Sequence, residues 1–519
     1  MPTHAEAMAN ELAARGVQHV FGLPGGEIVA FMDACRRAGM RFLLTGHEAS
    51  AAWMAQVVGQ VTGIPGVCAT TLGPGATNLV TAVANAYLDR APMLAITAQI
   101  PAGSIDTMTH QRLPLDRLFS TITKGSFSVG AEDTTALMDR AMDLAAAPRP
   151  GPVHIALASD LATKNHQSRA ANTPEKPLAR TLSLGPIAER LSAAKRPLVL
   201  IGLGASPFDA PAIHTLVERL QAPVLVTPKV KGIVAEDHPL FLGVASGMAI
   251  DRDILDTIRA ADLLLAIGFD PVECDKTWFA DVEVVSIDSA SMAEGRYRPL
   301  EAIGDIASLV GALRPEPKTW PPDLIEQRRN AIRRQPGAGL SPLRLIEELR
   351  SVFPRDGIAT CDVGSHKLAM GQFWRAYEPG TFFMSNGLSG MGFGIPAAIA
   401  AQLCHPAKSV LAVVGDGGML MMLHDLALIR ELALPIVIVV LSDRSLSLIR
   451  ISEERRGISP YGVDFTPPNF AKIAEAFGLP RRNAHSIEEA RDAVEQALAQ
   501  RTALLVDIPI DYHEYYDLV

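Results

Sequence analysis

The chain of 519 residues is poor in the features that mark secreted, membrane-spanning and nucleic-acid-binding proteins. Its five cysteines, Cys35, Cys68, Cys274, Cys361 and Cys404, are scattered, and no two form a Cys-x-x-Cys pair. That spacing offers neither a disulfide framework nor a structural zinc set, and it fits a reducing compartment. The net charge of −9 is not gathered into runs, which argues against nucleic acid or an acidic membrane as the main partner. The longest apolar stretch, "LALPIVIVVL" at 432–441, is about half of what a membrane span needs. The N-terminus, "MPTHAEAMANELAARGV", lacks the basic start and apolar run of a signal peptide and reads as an amphipathic helix. A soluble, cytoplasmic protein is expected.

What is abundant is apolar side chain, 48% of the residues, enough for sizeable cores without disulfides. The length leaves room for about three domains of roughly 150 residues. Two stretches read as linkers. "ATKNHQSRAANTPEKPLARTLS" covers 162–183; "LRPEPKTWPPDL" and "RRQPGAGLSP", with a short helical piece between them, cover 313–342. They set the expected domains at 1–163, 184–313 and 342–512. Each part alternates short apolar strands with amphipathic helices. "GVCATT", "PMLAITA" and "GPVHIAL" stand in the first, "PLVLIGLG", "PVLVTP", "DLLLAIG" and "VEVVSID" in the second, "LAVVG" and "PIVIVVL" in the third. The expectation is an α/β protein of three doubly wound parallel sheets, the first and third alike in plan. "GLGAS" at 202–206 lacks the third spaced glycine of a dinucleotide fingerprint and reads as a tight turn.

One segment, "VVGDGGMLMMLHDLALIRELALPIVIVVLSD" at 413–443, carries an aspartate at each end of a helix and a buried strand. The turn Gly415-Asp416-Gly417-Gly418 is expected to open the helix "MLMMLHDLALIREL". A right-handed crossover would then return the chain beside its first strand, bringing Asp443 to the same sheet edge as Asp416. Two carboxylates beside exposed helix N–H groups suit Mg²⁺ and a phosphate. Read without context, the same aspartates are also ordinary turn and cap residues.

The segment resembles the metal and diphosphate motif of thiamine diphosphate enzymes, Gly-Asp-Gly followed by Asn, with Asp443 in the place of that Asn. Other stretches extend the resemblance. "FGLPGG" (21–26), "TGHEASAAWMA" (45–55), "TTLGPGATNLVTAVANAYLDRAPMLAITAQ" (70–99) and "RPGPVHIAL" (149–157) resemble the pyrimidine-binding domain of acetolactate synthases. "TCDVGSHKLAMGQFW" (360–374), "SNGLSGMGFGIPAAIAAQL" (385–403) and "TPPNFAKIAEAFG" (466–478) resemble their diphosphate-binding domain. The resemblance implies thiamine diphosphate and Mg²⁺ as cofactors. It implies that Glu48 activates the cofactor and that Pro74 and Asn78 contact its pyrimidine. Met391, next to Gly390, would bend it, while Gly364, Ser365, His366, Gly415, Asp416, Gly417 and Gly418 surround its diphosphate. Asp416, Asp443 and the carbonyl of Ser445 would hold the metal.

For the reaction, "THQRLPLDRLFSTITK" (109–124) resembles the "HQ" form of catabolic, FAD-free acetolactate synthases, which places Gln111 and His110 near the substrate. "GFDPVE" (268–273) is similar to their "GYDPIE"-type stretch, so bound FAD is not expected. Leu23 stands where many synthases have Tyr, and Ser452 where biosynthetic ones have Trp. The resemblance thus implies a carboligase that decarboxylates pyruvate or a similar 2-oxo acid and joins the fragment to a second one. The alternative is a decarboxylase that releases an aldehyde. It also implies a homodimer or homotetramer with active sites between subunits.

Overall fold

The computed structural model describes residues 1–166, 183–246, 252–273, 281–318, 320–332 and 335–518. Three six-stranded sheets organise the chain. The first contains β1 (His19–Leu23), β2 (Arg41–Leu44), β3 (Gly66–Thr70), β4 (Met93–Gln99), β5 (Ser126–Ser128) and β6 (Pro152–Ala158), in the order β2-β1-β3-β4-β6-β5. Next come β7 (Pro197–Ile201), β8 (Val224–Val226), β9 (Phe241–Val244), β10 (Leu263–Ile267), β11 (Val284–Asp288) and β12 (Leu300–Ile303), ordered β12-β11-β10-β7-β8-β9. The last holds β13 (Ile358–Cys361), β14 (Phe382–Met384), β15 (Val410–Gly415), β16 (Ile436–Ser442), β17 (Arg481–Asn483) and β18 (Leu504–Pro509), ordered β14-β13-β15-β16-β18-β17. All the pairings are parallel. The first and third sheets share one strand order, as expected from their similar plan.

Parallel strands buried on both faces need continuous apolar runs, and the sequence supplies them. In β7, Val199 and Ile201 belong to one core while Leu198 and Leu200 belong to another, so the sheet carries a core on each face. Each such side chain contributes roughly 1.5–3 kcal/mol when fully buried. The N-terminal helix, His4–Ala14, begins on a capping box in which Thr3 and Glu6 satisfy each other's backbone N–H. "GLGAS" is a tight turn: Ala205 N–H donates to Gly202 O at 2.9 Å and Gly204 N–H to Gly268 O at 2.7 Å.

By compactness the chain forms two units. One takes the first sheet together with Gly387–Pro406 and Met422–Ala433; the other takes the second and third sheets, including Ala407–Met421 and the chain from Leu434. This explains one departure from expectation. The helix expected over 419–432 is two short helices, Asp416–Met421 and Asp425–Glu431, and the break falls where the chain passes from one unit to the other. The stretch 313–342 also does more than link. It contains the helix Pro322–Ile332, and Trp320 is buried, its indole N–H donating to Pro197 O at 2.8 Å. Apolar residues at 320, 324 and 325, inside a polar and proline-rich run, anchor it to the second sheet. Most of 162–183 lies outside the described residues.

Candidate active site

In the third sheet the strand order reverses between β13 and β15, the place where open α/β sheets bind ligands beyond their strand ends. Gly364-Ser365-His366 follow β13, and Gly415-Asp416-Gly417-Gly418 end or follow β15, so both expected segments flank that point. Glycines are required here by space. A Cβ on Gly415 would lie 3.0 Å from His366 Cε1, and one on Gly418 would collide with the Asp362 carboxylate. Ser365 and His366 open the helix Ser365–Phe373 and are buried. Burial pushes the His366 imidazole down to about 4, so it is neutral at physiological pH, and its buried Nε2 has no hydrogen-bond partner.

Strands β15 and β16 run parallel with Gly415 opposite Leu441, and this register sets Asp416 and Asp443 at adjacent strand ends. Asp416 accepts the N–H of Gly417 and the N–H of Arg444, both at 2.8 Å. Arg444 supplies its N–H from a left-handed backbone (φ 63°), a conformation that costs a non-glycine residue about 1 kcal/mol or more. Burial raises Asp416 to about 6, and the neighbouring Asp443 carboxylate adds to the effect. Asp443 is likewise pushed upward by burial, against bonds from the Ser447 hydroxyl and the Ser445 N–H, the latter at 3.2 Å. Ser445 forms an isolated antiparallel bridge with Asp464. The bridge is bonded through Arg444 O and Leu446 N–H, so the carbonyl of Ser445 is left outside it.

Within the other unit, Glu48 is the first residue of the helix Glu48–Thr62, capped by His47 Nδ1, which accepts the Ala49 N–H at 3.0 Å. The carboxylate is buried and accepts from Asn78 Nδ2 at 2.9 Å. Pro74 and Asn78 begin and end one short helix, and a Cβ on Gly75 inside it would lie 3.5 Å from Glu48 Oε1. Gln111 is exposed and holds a left-handed backbone (φ 56°); its side chain covers Gly73, 3.0 Å from where a Cβ would stand. His110 is exposed on the same turn. Gly390 lies against Trp53, with 3.2 Å left for a Cβ, and Met391 beside it is half-buried.

Several residues around these groups carry no sequence motif of their own. Ser447 bonds Ser365 Oγ at 2.8 Å as well as Asp443, tying the two loops together. Asp507, on β18, adds a third carboxylate whose charge reaches Asp416 and which accepts from Ser442 Oγ at 2.6 Å. Asp362, immediately after β13, fills the space beside Gly418. Only its place just beyond a strand end could have singled it out.

Family models described as the N-terminal TPP binding domain, the central domain and the C-terminal TPP binding domain of thiamine pyrophosphate enzymes match residues 2–118, 184–313 and 362–508. The chain belongs to the thiamine pyrophosphate enzyme family. It is similar at 31% identity to the probable acetolactate synthase large subunit of Methanocaldococcus jannaschii, covering 99% of this chain and 93% of that one. The acetolactate synthase of Bacillus subtilis is also 31% identical, over 99% and 94%. The catabolic acetolactate synthase of Raoultella terrigena is 29% identical, over 98% and 95%. The protein is thus a thiamine diphosphate enzyme of the acetolactate synthase type, and large subunits and a catabolic synthase resemble it about equally.

The residues fit the cofactor. Two carboxylates that burial holds above their ordinary range, with the Asp443 charge adding to the effect on Asp416, call for a cation. A buried histidine nitrogen without a partner and a turn open only to glycine suit a diphosphate.

Proposed function

We propose that the protein is a Mg²⁺-dependent carboligase. It breaks the C1–C2 bond of pyruvate or a similar 2-oxo acid, with loss of CO₂, and joins the remaining fragment to C2 of a second 2-oxo acid. Thiamine diphosphate, when bound, supplies the carbanion stabilisation that this decarboxylation requires. The observation that carries the reading is the convergence of Asp416 and Asp443 on one sheet edge beside the glycine turn. Asp416, Asp443 and the Ser445 carbonyl hold the metal. Gly364, Ser365, His366, Gly415, Gly417 and Gly418 line the diphosphate site, with His366 as a neutral donor or acceptor. Glu48, oriented by Asn78, would hold and release a proton beside the cofactor's pyrimidine, which Pro74 would border; Gly390 and Met391 would support the ring system. Gln111 and His110 face the substrate.

A carboligase without FAD is supported by the second sheet. Its strand order reverses between β7 and β10, and that crevice is filled from within. Glu273 Oε2 accepts the Leu203 N–H at 2.7 Å, so a carboxyl group of the chain itself occupies the turn that a dinucleotide phosphate would need. The assembly is a homodimer or homotetramer in the cytoplasm; among the described residues no helix is long and apolar enough to cross a membrane. Several relatives are named large subunits, so a second polypeptide is a further assembly to test for. Mass spectrometry of products formed from pyruvate, thiamine diphosphate and Mg²⁺ tests the reading. Acetolactate supports it, free acetaldehyde as the sole product replaces it with the decarboxylase, and neither product from any 2-oxo acid overturns both.

A further inference from the structure

In the helix Ala210–Leu220, Ile213, Leu216, Val217 and Leu220 pack into a core of the second sheet. That leaves His214 and Glu218, four residues apart, together on the exposed face. His238 reaches them from the turn before β9. Its Nε2 lies 2.7 Å from Glu218 Oε1, and its ring meets the His214 ring edge-on, with centroids 5.6 Å apart. One ligating atom from each of the three lies within 4.8 Å of the other two. Two imidazole nitrogens and one carboxylate oxygen are a donor set for zinc-type ions, with water in the fourth position, whereas Mg²⁺ favours oxygen alone. An ion about 2.0–2.2 Å from each donor needs them roughly 3.3 Å apart, so no pair has more than roughly 1.5 Å to travel. The exposed His214 and Glu218 side chains can turn to make that adjustment.

The backbone under His238 is fixed: its N–H donates to Ala235 O at 2.9 Å, and Phe241 N–H donates to His238 O at 3.0 Å. Leu240 N–H donates to His238 Nδ1 at 3.1 Å, so Nε2 carries the ring proton and donates to Glu218. An ion at Nε2 sends that proton to Nδ1 and exchanges the Leu240 bond for a metal–nitrogen bond. The same turn is the joint to the third sheet. Asp237 pairs with Arg355 at 2.9 Å, and Glu236 N–H donates to Ala376 O at 3.1 Å. Lys231, buried over the Phe382 ring of β14, meets the Glu236 carboxylate at 2.7 Å.

We propose that His214, Glu218 and His238 bind one divalent cation of the zinc class, and that the ion clasps the helix Ala210–Leu220 to this turn and so steadies the joint between the second and third sheets. The site lies apart from the residues assigned to Mg²⁺ and thiamine diphosphate and does not depend on that assignment. The test is a calorimetric titration of the full-length, untagged protein with Zn²⁺, with Mg²⁺ and thiamine diphosphate held at saturation. One Zn²⁺ per chain is expected at this site, and His214→Ala and Glu218→Gln should each weaken it at least about tenfold. Both residues are exposed, so neither substitution removes packing from the core. Hydrogen exchange read by mass spectrometry gives the second measurement. Zn²⁺ should slow exchange at least about threefold in wild-type peptides spanning 210–220 and 231–241, and in neither variant at the same Zn²⁺ concentration. Absence of Zn²⁺ binding, or binding that either substitution leaves unchanged, overturns the site. Binding through these residues without slower exchange in 231–241 overturns the clasp.

Discussion

Glu273 offers a direct test of how the second sheet is closed. Its carboxyl is buried, and burial pushes it up to about 8 from an ordinary value of 4.5; the nearby Asp270 adds to the effect, against the Leu203 N–H. Between those two values the folded protein keeps a proton that the unfolded chain has released. The native state therefore binds more protons, and stability falls as pH rises through that window and levels off above it. A displacement from 4.5 to about 8 corresponds to roughly 5 kcal/mol. That is an upper bound, because a local opening that admits water relieves part of it. Glu273→Gln removes the titration while keeping an oxygen for the Leu203 N–H. Hydrogen exchange read by mass spectrometry in peptides spanning 197–204 and 263–273, corrected for intrinsic rates, reports the local stability. At about pH 5 wild type and variant should agree within about 1 kcal/mol, and at about pH 8.5 the variant should be more protected by about 2 kcal/mol or more. Parallel pH profiles for the two proteins would refute the argument that a neutral carboxylic acid closes this crevice.

Other outcomes follow from the candidate site. Glu48→Gln should lower turnover of 2-oxo acids by roughly a hundredfold or more while thiamine diphosphate still binds, as equilibrium titration would report. In Gly418→Ala the new methyl group meets the Asp362 carboxylate; calorimetry should find cofactor binding weakened, with about 1–3 kcal/mol lost to strain. Ser447→Ala cuts the link between Ser365 and Asp443, and cofactor affinity should fall about fivefold, the worth of one hydrogen bond. An unchanged affinity in that variant would show that the two loops hold their positions independently.

The elements that could be read in advance are those whose sequence decides their structure alone. β16 is a run of seven residues, Ile436–Ser442, apolar almost to its end, and no other element suits such a run between turn residues. β17, by contrast, is Arg481-Arg482-Asn483, all exposed; only pairing with β18 makes it a strand. β14, Phe382–Met384, is apolar and buried, but three residues are too few for a period to show. The same division holds at the site. The turn Gly415–Gly418 and Asp443 are local signals joined by a single crossover. Asp507 and Ser447 reach the same edge through the order of strands β15, β16 and β18 and through a helix start, and a linear pattern does not encode either. The break at Met422–His424 was hidden for a related reason. The apolar spacing on both sides is helical, and what interrupts it is the passage from one compact unit to another.

The shared strand order of the first and third sheets makes their difference informative. In the third sheet the polar groups gather at the reversal point, after β13, β15 and β16, where glycines leave backbone N–H groups and carboxylates facing the strand ends. A phosphate and a cation need that kind of surface, because their charge must be met by several groups at once. In the first sheet the acid proposed to act on the cofactor, Glu48, comes instead from the helix that follows β2, one strand away from the corresponding reversal. It is buried, and the side-chain amide of Asn78 donates to it. Under the proposed function this carboxylate meets one further partner, the cofactor, and a single side-chain amide on it leaves room for that contact. The two sheets therefore use one topology in different ways, one to gather several polar groups at neighbouring strand ends and one to present a single carboxylate from a flanking helix.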